Sequence, residues 1–356
     1  MKWTITEYNN WINEGKPINL NVTELNISNS NIGSLTGIEK LPNLIVFDCS
    51  RNQLTSLNGI ENLPNLTELN CSFNQLTLSN GIENLLNLIK LNCCGNQLTS
   101  LNGIENLHKL TELYCLSNKL TSLNCIENLV NLIKLNCSYN RLTSLNGIKY
   151  LFNLTELCCA FNQLTFLTVK HLNELKCLHC SGNKLESLNE IKYLFNLTQL
   201  HCSSNQLTSL NGIENLHNLN HLDCTNNQLI SLEGIENLHN LTKLNCSFNK
   251  LKSSNSIENL HNLKYFYCSY NNLTSLNQTS NLVNLIELCC PNNNLTQLNG
   301  IEKLLNLTGL NCANNKLQSL NGIENLNKLI YLHCQNNPLK SLNELKNLSK
   351  LISIIE

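Results

Sequence analysis

The feature that most constrains the fold of this 356-residue chain is a segment of 22 residues that recurs about fifteen times. The copy LNGIENLPNLTELNCSFNQLT begins at Leu57 and returns with few changes from Leu101, Leu210 and Leu320. A segment this short cannot bury its own apolar side, so successive copies must stack as a solenoid with one continuous core. One asparagine aligns the copies, at Asn52, Asn74, Asn96, Asn118, Asn140, Asn162, Asn183, Asn205, Asn227, Asn249, Asn271, Asn293, Asn315 and Asn337. Every step is 22 residues except the 21-residue step between Asn162 and Asn183.

Each copy contains one short stretch with the alternating pattern of a β-strand. In ELNCS, which ends at Ser72, apolar and polar residues alternate, and this is the period of a strand with one buried face. The pattern places Leu69 and Cys71 inward. Glu68, Asn70 and Ser72 are then expected to face outward. Equivalent strands about 4.8 Å apart predict a parallel sheet along the molecule.

The aligned asparagine follows this strand. A turn beneath the core leaves backbone N–H and C=O groups without partners, and an amide side chain supplies both donors and an acceptor. We therefore expect the asparagines to form a ladder of hydrogen bonds that ties each turn to its neighbour.

The segment after each asparagine has the signature of a short helical turn. Asn58 precedes Glu61 by the spacing of a capping box, which predicts one turn of α- or 3₁₀-helix. Other copies carry Cys125, Glu190 or Ser256 where the first carries Gly59, so we expect no requirement for positive φ at that position.

The first nineteen residues lack the repeat and predict a cap. We expect Thr6 to cap a helix from Glu7 to Glu14 that ends at Gly15. Tyr8, Trp11 and Ile12 would then cover the first copy. The predicted domains are a capping helix at 1–19 and a solenoid of about fifteen repeats at 20–356.

The pattern LxxLxCxxNxL resembles the 22-residue class of leucine-rich repeats, found in internalin-like and phosphatase-regulator-like proteins. The resemblance covers the chain from about Leu20 onward. It implies an α/β fold, a curved horseshoe with a parallel β-sheet on its concave face and short helical turns on its convex face. The abundance of Asn and Leu is also similar to repeat proteins of AT-rich genomes such as those of giant viruses.

Fourteen of the nineteen cysteines occupy one column, three residues before each aligned asparagine. The column is expected to be buried, so we interpret these cysteines as small apolar core residues in a reducing compartment. A disulfide ladder is disfavoured because the strand spacing exceeds the Cβ separation of a disulfide. A straight row of thiols also lacks the converging geometry of a zinc site. We expect the best exposed thiols to be Cys94, Cys158, Cys177 and Cys289.

Side chains at the outward strand positions do not pack in the core, so we expect the functional residues among them. Early copies alternate Glu and Lys, which predicts paired charges across adjacent strands. Later copies carry rings and mixed polar groups that are typical of a binding hot spot. We call these residues the histidine–tyrosine patch: His179, His201, His221, Asp223, Lys243, Phe248, Tyr265, Tyr267 and Tyr270.

Composition and motifs limit the function classes. The formal net charge is −1, so no basic excess favours nucleic acid or a membrane surface. No nucleophile, base and acid recur together, and no phosphate-binding loop follows a strand, so we expect no enzyme, no cofactor and no metal.

The leading hypothesis is a non-catalytic scaffold that binds a protein of unknown identity on its concave sheet. One alternative is a metal- or redox-responsive binding protein that uses surface His and Cys. Another is a structural or assembly role through the C-terminal edge, where Leu351, Ile352 and Ile354 are apolar. We expect a monomer rather than a homodimer. The amino terminus lacks the apolar segment of a secretory peptide, which favours the cytoplasm, or the host cytoplasm if the chain is viral.

Overall fold

The computed structural model describes residues 1–78 and 81–355. The chain forms two compact units, Met1–Leu175 and Lys176–Glu356, hereafter unit 1 and unit 2. The boundary between them falls inside the single 21-residue copy.

Unit 1 contains eight parallel strands among its described residues, and each pairs with the next one in the chain. The register advances by one copy per strand, so that Leu69 lies beside Leu91 and Leu91 beside Leu113. The strands are β1 (Lys2–Trp3), β2 (Glu24–Asn26), β3 (Val46–Asp48), β4 (Glu68–Asn70), β5 (Lys90–Asn92), β6 (Glu112–Tyr114), β7 (Lys134–Asn136) and β8 (Glu156–Cys158).

Unit 2 repeats this arrangement with nine strands in its described part, again parallel and in chain order. The strands are β9 (Cys177–His179), β10 (Gln199–His201), β11 (His221–Asp223), β12 (Lys243–Asn245), β13 (Tyr265–Tyr267), β14 (Glu287–Cys289), β15 (Gly309–Asn311), β16 (Tyr331–His333) and β17 (Ser353–Ile355). The predicted fold class is therefore confirmed: each unit is a solenoid with one short strand per copy and a leucine-rich core.

Eight of the described return segments carry a short 3₁₀-helix, in two forms. Where the glycine column of the return segment holds Gly59, the backbone adopts φ 103° at that residue and the helix follows at Ile60–Asn62. Where it holds Cys125, the helix spans Asn124–Ile126 without a left-handed residue. The predicted helical turn is present in some copies and absent from others, such as the copy that contains Gly103, and positive φ is not required in every copy. The other 3₁₀-helices are Ile38–Lys40, Asn146–Ile148, Asn189–Ile191, Asn255–Ile257, Asn277–Asn281 and Asn343–Leu345.

The predicted Asn58 cap is wrong in detail. The residue that precedes the turn is Gly59, and no side chain caps it. The carboxylate of Glu61 instead accepts a hydrogen bond from the Gly59 N–H at 2.7 Å. The glutamate thus reaches back to the backbone two residues earlier because glycine, rather than asparagine, turns the chain.

The amino-terminal helix, α1 (Ile5–Asn13), begins earlier than predicted. Its cap is Thr4 rather than Thr6, and Glu7 completes a capping box by accepting from the Thr4 N–H at 2.8 Å. Tyr8 and Trp11 are buried as expected, whereas Ile12 is 37% exposed and does not join them. Lys2–Trp3 pairs with β2 as an extra strand, which two residues are too short to reveal by periodicity.

Candidate functional site

Each three-residue strand presents its first and third side chains on one side of its sheet, which we call the sheet face. The middle residue is buried, as with Leu69 and Leu244. The alternation of outward and buried side chains does not extend past the strand. Ser72, which was expected to face outward, is only 4% exposed. The strand ends at Asn70, and Ser72 already belongs to the turn.

On the sheet face of unit 1, opposite charges pair between neighbouring strands. Lys90 Nζ lies 3.3 Å from Glu112 Oε2, and Lys134 Nζ lies 3.9 Å from Glu156 Oε2. Tyr114 donates to Glu112 Oε2 at 2.9 Å. Burial raises the pKa of Glu112, but hydrogen bonds from Tyr114 and Lys90 outweigh it and lower this pKa below its usual value. Both carboxylates already have a cation from their own chain.

On the sheet face of unit 2, three histidine rings touch across adjacent strands. The ring centroids of His179 and His201 are 3.8 Å apart, and those of His201 and His221 are 4.6 Å apart. Burial, reinforced by the neighbouring His179 and His221, lowers the pKa of His201 to about 4. Burial and the charge of Lys243 also lower the pKa of His221. His201 and His221 are therefore neutral, partly desolvated rings at pH 7.

Tyrosines continue this row on the next strands. The Lys243 ammonium lies 5.9 Å from the ring centroid of Tyr267, within the range of a cation–π contact. Tyr267 donates to Glu287 Oε2 at 3.1 Å, and burial together with this carboxylate raises the pKa of Tyr267. The phenol thus remains a donor at any physiological pH. Asp223 accepts from both the N–H and the hydroxyl of Thr225, at 3.0 Å and 2.6 Å, so its carboxylate is held by its own turn.

The structure brings Phe248 and Tyr270 together as a stacked pair, with centroids 4.2 Å apart and planes at 11°. Both rings are about half exposed. Sequence reasoning missed that unit 1 has an equivalent pair, Tyr139 and Phe161, at 4.4 Å and 15°. All four residues adopt positive φ in the turn before the aligned asparagine. Stacking is therefore a property of this turn column, and the second pair supplies a matched control.

The aligned asparagines lie beneath the turns and bind backbone groups of two copies. Nδ2 of Asn74 donates to the carbonyls of Cys71 at 3.1 Å and Ser72 at 3.3 Å, and to Cys49 of the preceding copy at 3.1 Å. Its Oδ1 accepts from the N–H of Leu54 at 2.9 Å. Each such amide uses both donors and its acceptor, which aspartate could not reproduce.

The fourteen column cysteines are buried, each 2% exposed or less. Nine of their thiols donate to a backbone carbonyl of the following copy, as where Cys71 Sγ donates to the Asn92 carbonyl at 3.4 Å. Burial raises the pKa of the thiols of Cys71 and Cys93 well above the usual value. The nineteen cysteines are free thiols, and the fourteen in the column serve as small core residues.

The predicted set of exposed thiols needs one correction. Cys94 is only 5% exposed, because it occupies the covered turn position that Ser72 holds in the preceding copy. Cys125 was missed; it stands in the glycine column of a return turn and is half-buried, as are Cys158, Cys177 and Cys289.

Sequence reasoning also missed a pocket on the sheet face of unit 2. Gly309 occupies the first, outward position of β15, where the other strands of both units carry side chains. A cavity of about 530 Å³ opens above it. Its lining residues are Glu287, Cys289, Thr308, Gly309, Leu310, Asn311, Tyr331 and His333. A glycine at an outward strand position was the signal that could have revealed this pocket.

Within residues 1–78 and 81–355, no group of three or more His, Cys, Asp or Glu side chains has the arrangement of a metal site. No helix in that part of the chain has the length and apolar character that a membrane crossing requires.

Comparison with known proteins supports the interpretation of the fold. The family model described as Leucine Rich repeats (2 copies) matches residues 42–85 and 195–238. A leucine-rich-repeat protein of Leptospira interrogans is 32% identical with a TM-score of 0.91, and the match covers 99% of this chain and 95% of that one. No curated protein sequence matches the chain significantly.

Two further structures are similar over most of this chain. The functional domain of InlJ from Listeria monocytogenes, which includes a cysteine ladder, is 29% identical with a TM-score of 0.76 over 92% of this chain. The plant peptide hormone receptor RGFR1, in complex with RGF2, is 26% identical with a TM-score of 0.80 over 93% of this chain. This chain spans 66% of the Listeria domain and 57% of the plant receptor.

Proposed function

Because the chain belongs to the leucine-rich-repeat family, we propose that it is a non-catalytic scaffold whose sheet face binds a protein partner. The observation that carries this proposal is the continuous row of rings in unit 2, from His179 through His201 to His221. Tyr265 and Tyr267 follow two strands later on the same face. We assign the binding role to the histidine–tyrosine patch.

The physical properties of the patch suit protein binding. Rings that already contact one another lose little conformational freedom when a partner covers them. Neutral histidines are cheaper to desolvate than charged side chains. Tyrosine is also among the residues that dominate the binding energy of interfaces. The patch therefore offers apolar area with polar edges, and its side chains are already ordered before a partner binds.

The comparisons support this class of function in general terms. The plant receptor binds RGF2, so a similar fold can serve a peptide partner. A scaffold without chemistry of its own is consistent with the sheet face, where Asp223 is held by Thr225 and Glu287 by Tyr267. A cytoplasmic location, a monomeric state and the identity of the partner stay predictions.

Alanine substitutions test the proposal. Partners are captured from a lysate with the wild-type chain, identified by mass spectrometry, and their affinity is then measured with purified proteins. We expect the double variant Tyr265→Ala, Tyr267→Ala to weaken binding at least about tenfold, because hot-spot rings each contribute more than 1 kcal/mol or so. Phe248→Ala should weaken it less.

Unit 1 supplies the controls. Tyr114→Ala changes a tyrosine at the same strand position as Tyr267, and Phe161→Ala breaks the equivalent stacked pair. Both should leave the affinity unchanged. Equal losses from the variants of the two units, or no loss from Tyr265→Ala and Tyr267→Ala, would reject the patch.

A further inference from the structure

The pocket over Gly309 holds a carboxylate that lacks the cation found beside its counterpart in unit 1. Strands β8 and β14 have the same sequence, Glu-Leu-Cys. In β8, Glu156 pairs with Lys134 of the preceding strand. In β14, Glu287 has Tyr265 on one side and Gly309 on the other. No ion pair involves Glu287 within the described residues.

The surroundings of Glu287 orient it without neutralising it. Tyr267 donates to Oε2 at 3.1 Å and the Cys289 thiol approaches Oε1 at 3.5 Å. Two carboxylate oxygens accept about four hydrogen bonds, so acceptor capacity remains on both. On the sheet face from β13 to β16, Glu287 is the one carboxylate and no lysine or arginine lies beside it, since the other outward residues are Tyr265, Tyr267, Cys289, Gly309, Asn311, Tyr331 and His333.

Gly309 opens the space above this carboxylate, and its backbone does not require glycine. Its φ lies outside the left-handed region, and a Cβ built there would come 3.3 Å from Glu287 Cγ. A larger residue would fill the cavity. The ring of Tyr331, which is 55% exposed, forms the opposite wall. The volume of about 530 Å³ is within the range of ligand pockets.

We propose that this pocket receives an arginine side chain presented by an extended segment of the partner. The guanidinium would pair with Glu287 in the way that Lys134 pairs with Glu156, and its plane would lie against the ring of Tyr331. A planar fork that binds carboxylates bidentately and stacks on rings is the property that distinguishes arginine from lysine. The inference rests on the proposed function, because the pocket continues the same sheet face beyond Tyr265 and Tyr267.

A short peptide tests the pocket without the partner. The probe is N-acetyl-Gly-Arg-Gly-amide, titrated into the full chain and followed by ligand-observed NMR, with the citrulline and lysine analogues as comparisons. We expect a Kd near about 1 mM for the arginine peptide. The neutral citrulline analogue should bind at least about fivefold more weakly, and lysine should fall between them.

Two variants locate the site, and one controls for charge. Glu287→Gln should weaken the arginine peptide at least about fivefold, and Gly309→Leu should abolish binding while thermal unfolding confirms that the variant folds. Glu156→Gln, in the identical strand of unit 1, should have no effect. No binding at about 10 mM peptide, equal binding of citrulline or lysine, or an unchanged Kd for Glu287→Gln overturns the assignment.

The outcome separates the two proposals. Failure of the peptide, with Tyr265→Ala and Tyr267→Ala still losing the captured partner, would remove the pocket and retain the scaffold. Peptide binding, with those variants still holding the partner, would retain the pocket and remove the patch.

Discussion

Each unit places a lysine, a tyrosine and a glutamate close together on its sheet face. The lysine and the glutamate lie on neighbouring strands in unit 1 but two strands apart in unit 2, and this spacing changes their contacts. In unit 1, Lys90 and Glu112 are on neighbouring strands and form an ion pair, with Tyr114 donating to the same carboxylate. In unit 2, the lysine is Lys243 on β12, the tyrosine is Tyr267 on β13 and the glutamate is Glu287 on β14. The lysine reaches the ring but forms no ion pair with the carboxylate.

The difference shows that the number of strands between a lysine and a glutamate decides whether the two side chains form an ion pair on the sheet face. Unit 1 pairs Lys90 with Glu112 and Lys134 with Glu156, so a partner would have to break these ion pairs to use those charges. Unit 2 presents neutral rings and an unneutralised carboxylate, so a partner gains contacts without displacing any. The interior does not differ, since both units carry the same buried asparagine and cysteine columns. The core specifies the fold in both units, and the outward positions are where the units diverge.

The largest expected effect concerns the shared interior and should be equal in the two units. Asn140 makes four hydrogen bonds of 2.9–3.1 Å, and Asn227 makes four of 3.0–3.2 Å. Asn140→Ala and Asn227→Ala should each lower the free energy of unfolding by about 2 to 4 kcal/mol, because buried N–H and C=O groups lose their partners. Urea denaturation followed by circular dichroism measures the loss.

Asn128→Ala, at an exposed position of a return segment in unit 1, serves as the surface control and should change stability by less than about 0.5 kcal/mol. A ladder variant that matched this small effect would show that the asparagines do not tie the copies together. A large loss in one unit alone would break the equivalence of the two interiors.

A smaller effect concerns the stability of the chain at low pH, which should depend on His201 in unit 2. The pKa of His201 falls to about 4, whereas an unfolded histidine titrates near 6.5. The unfolded chain therefore takes up a proton first, and stability that is present above pH 6.5 is lost progressively as the pH falls toward about 4. His201→Asn installs the residue found at Asn92 and Asn136 of unit 1. It should reduce the fall in thermal midpoint between pH 7 and pH 4.5.

The measurement is a series of thermal melts of the wild type and the variant across that pH range. The two proteins should differ most in slope rather than in their midpoints at pH 7. Parallel curves would contradict a histidine row held neutral by burial and by mutual contact.

Much of the fold could be predicted because the repeat fixes it many times over. Leu69 and Cys71 were placed inward by alternation alone, and both are buried. The cap was misplaced by two residues because Thr4 and Thr6 are both suitable caps, and only the position of Glu7 relative to Thr4 selects between them. Cys94 was misjudged because alternation does not continue past the end of a strand.

The candidate site could be predicted only in part. The order of residues along a strand shows that His201 and His221 lie on one face, but ring contacts and the resulting loss of charge depend on side-chain conformation. The pocket exists because glycine at position 309 has no side chain. A search of the sequence for reactive side chains does not detect a position that lacks one. Glu287 differs from Glu156 only through its neighbours in space, since the two strands have one sequence.

Photo-crosslinking from matched tyrosines is the most direct test of the claim that unit 2 carries the binding face. Tyr267 and Tyr114 occupy the same strand position, and each donates to a glutamate, at 3.1 Å and 2.9 Å. p-Benzoylphenylalanine is introduced at one position or the other, and the chain is irradiated with its captured partner. We predict a covalent adduct from position 267 and none from position 114. An adduct from position 114 alone, or equal yields from both, would contradict it.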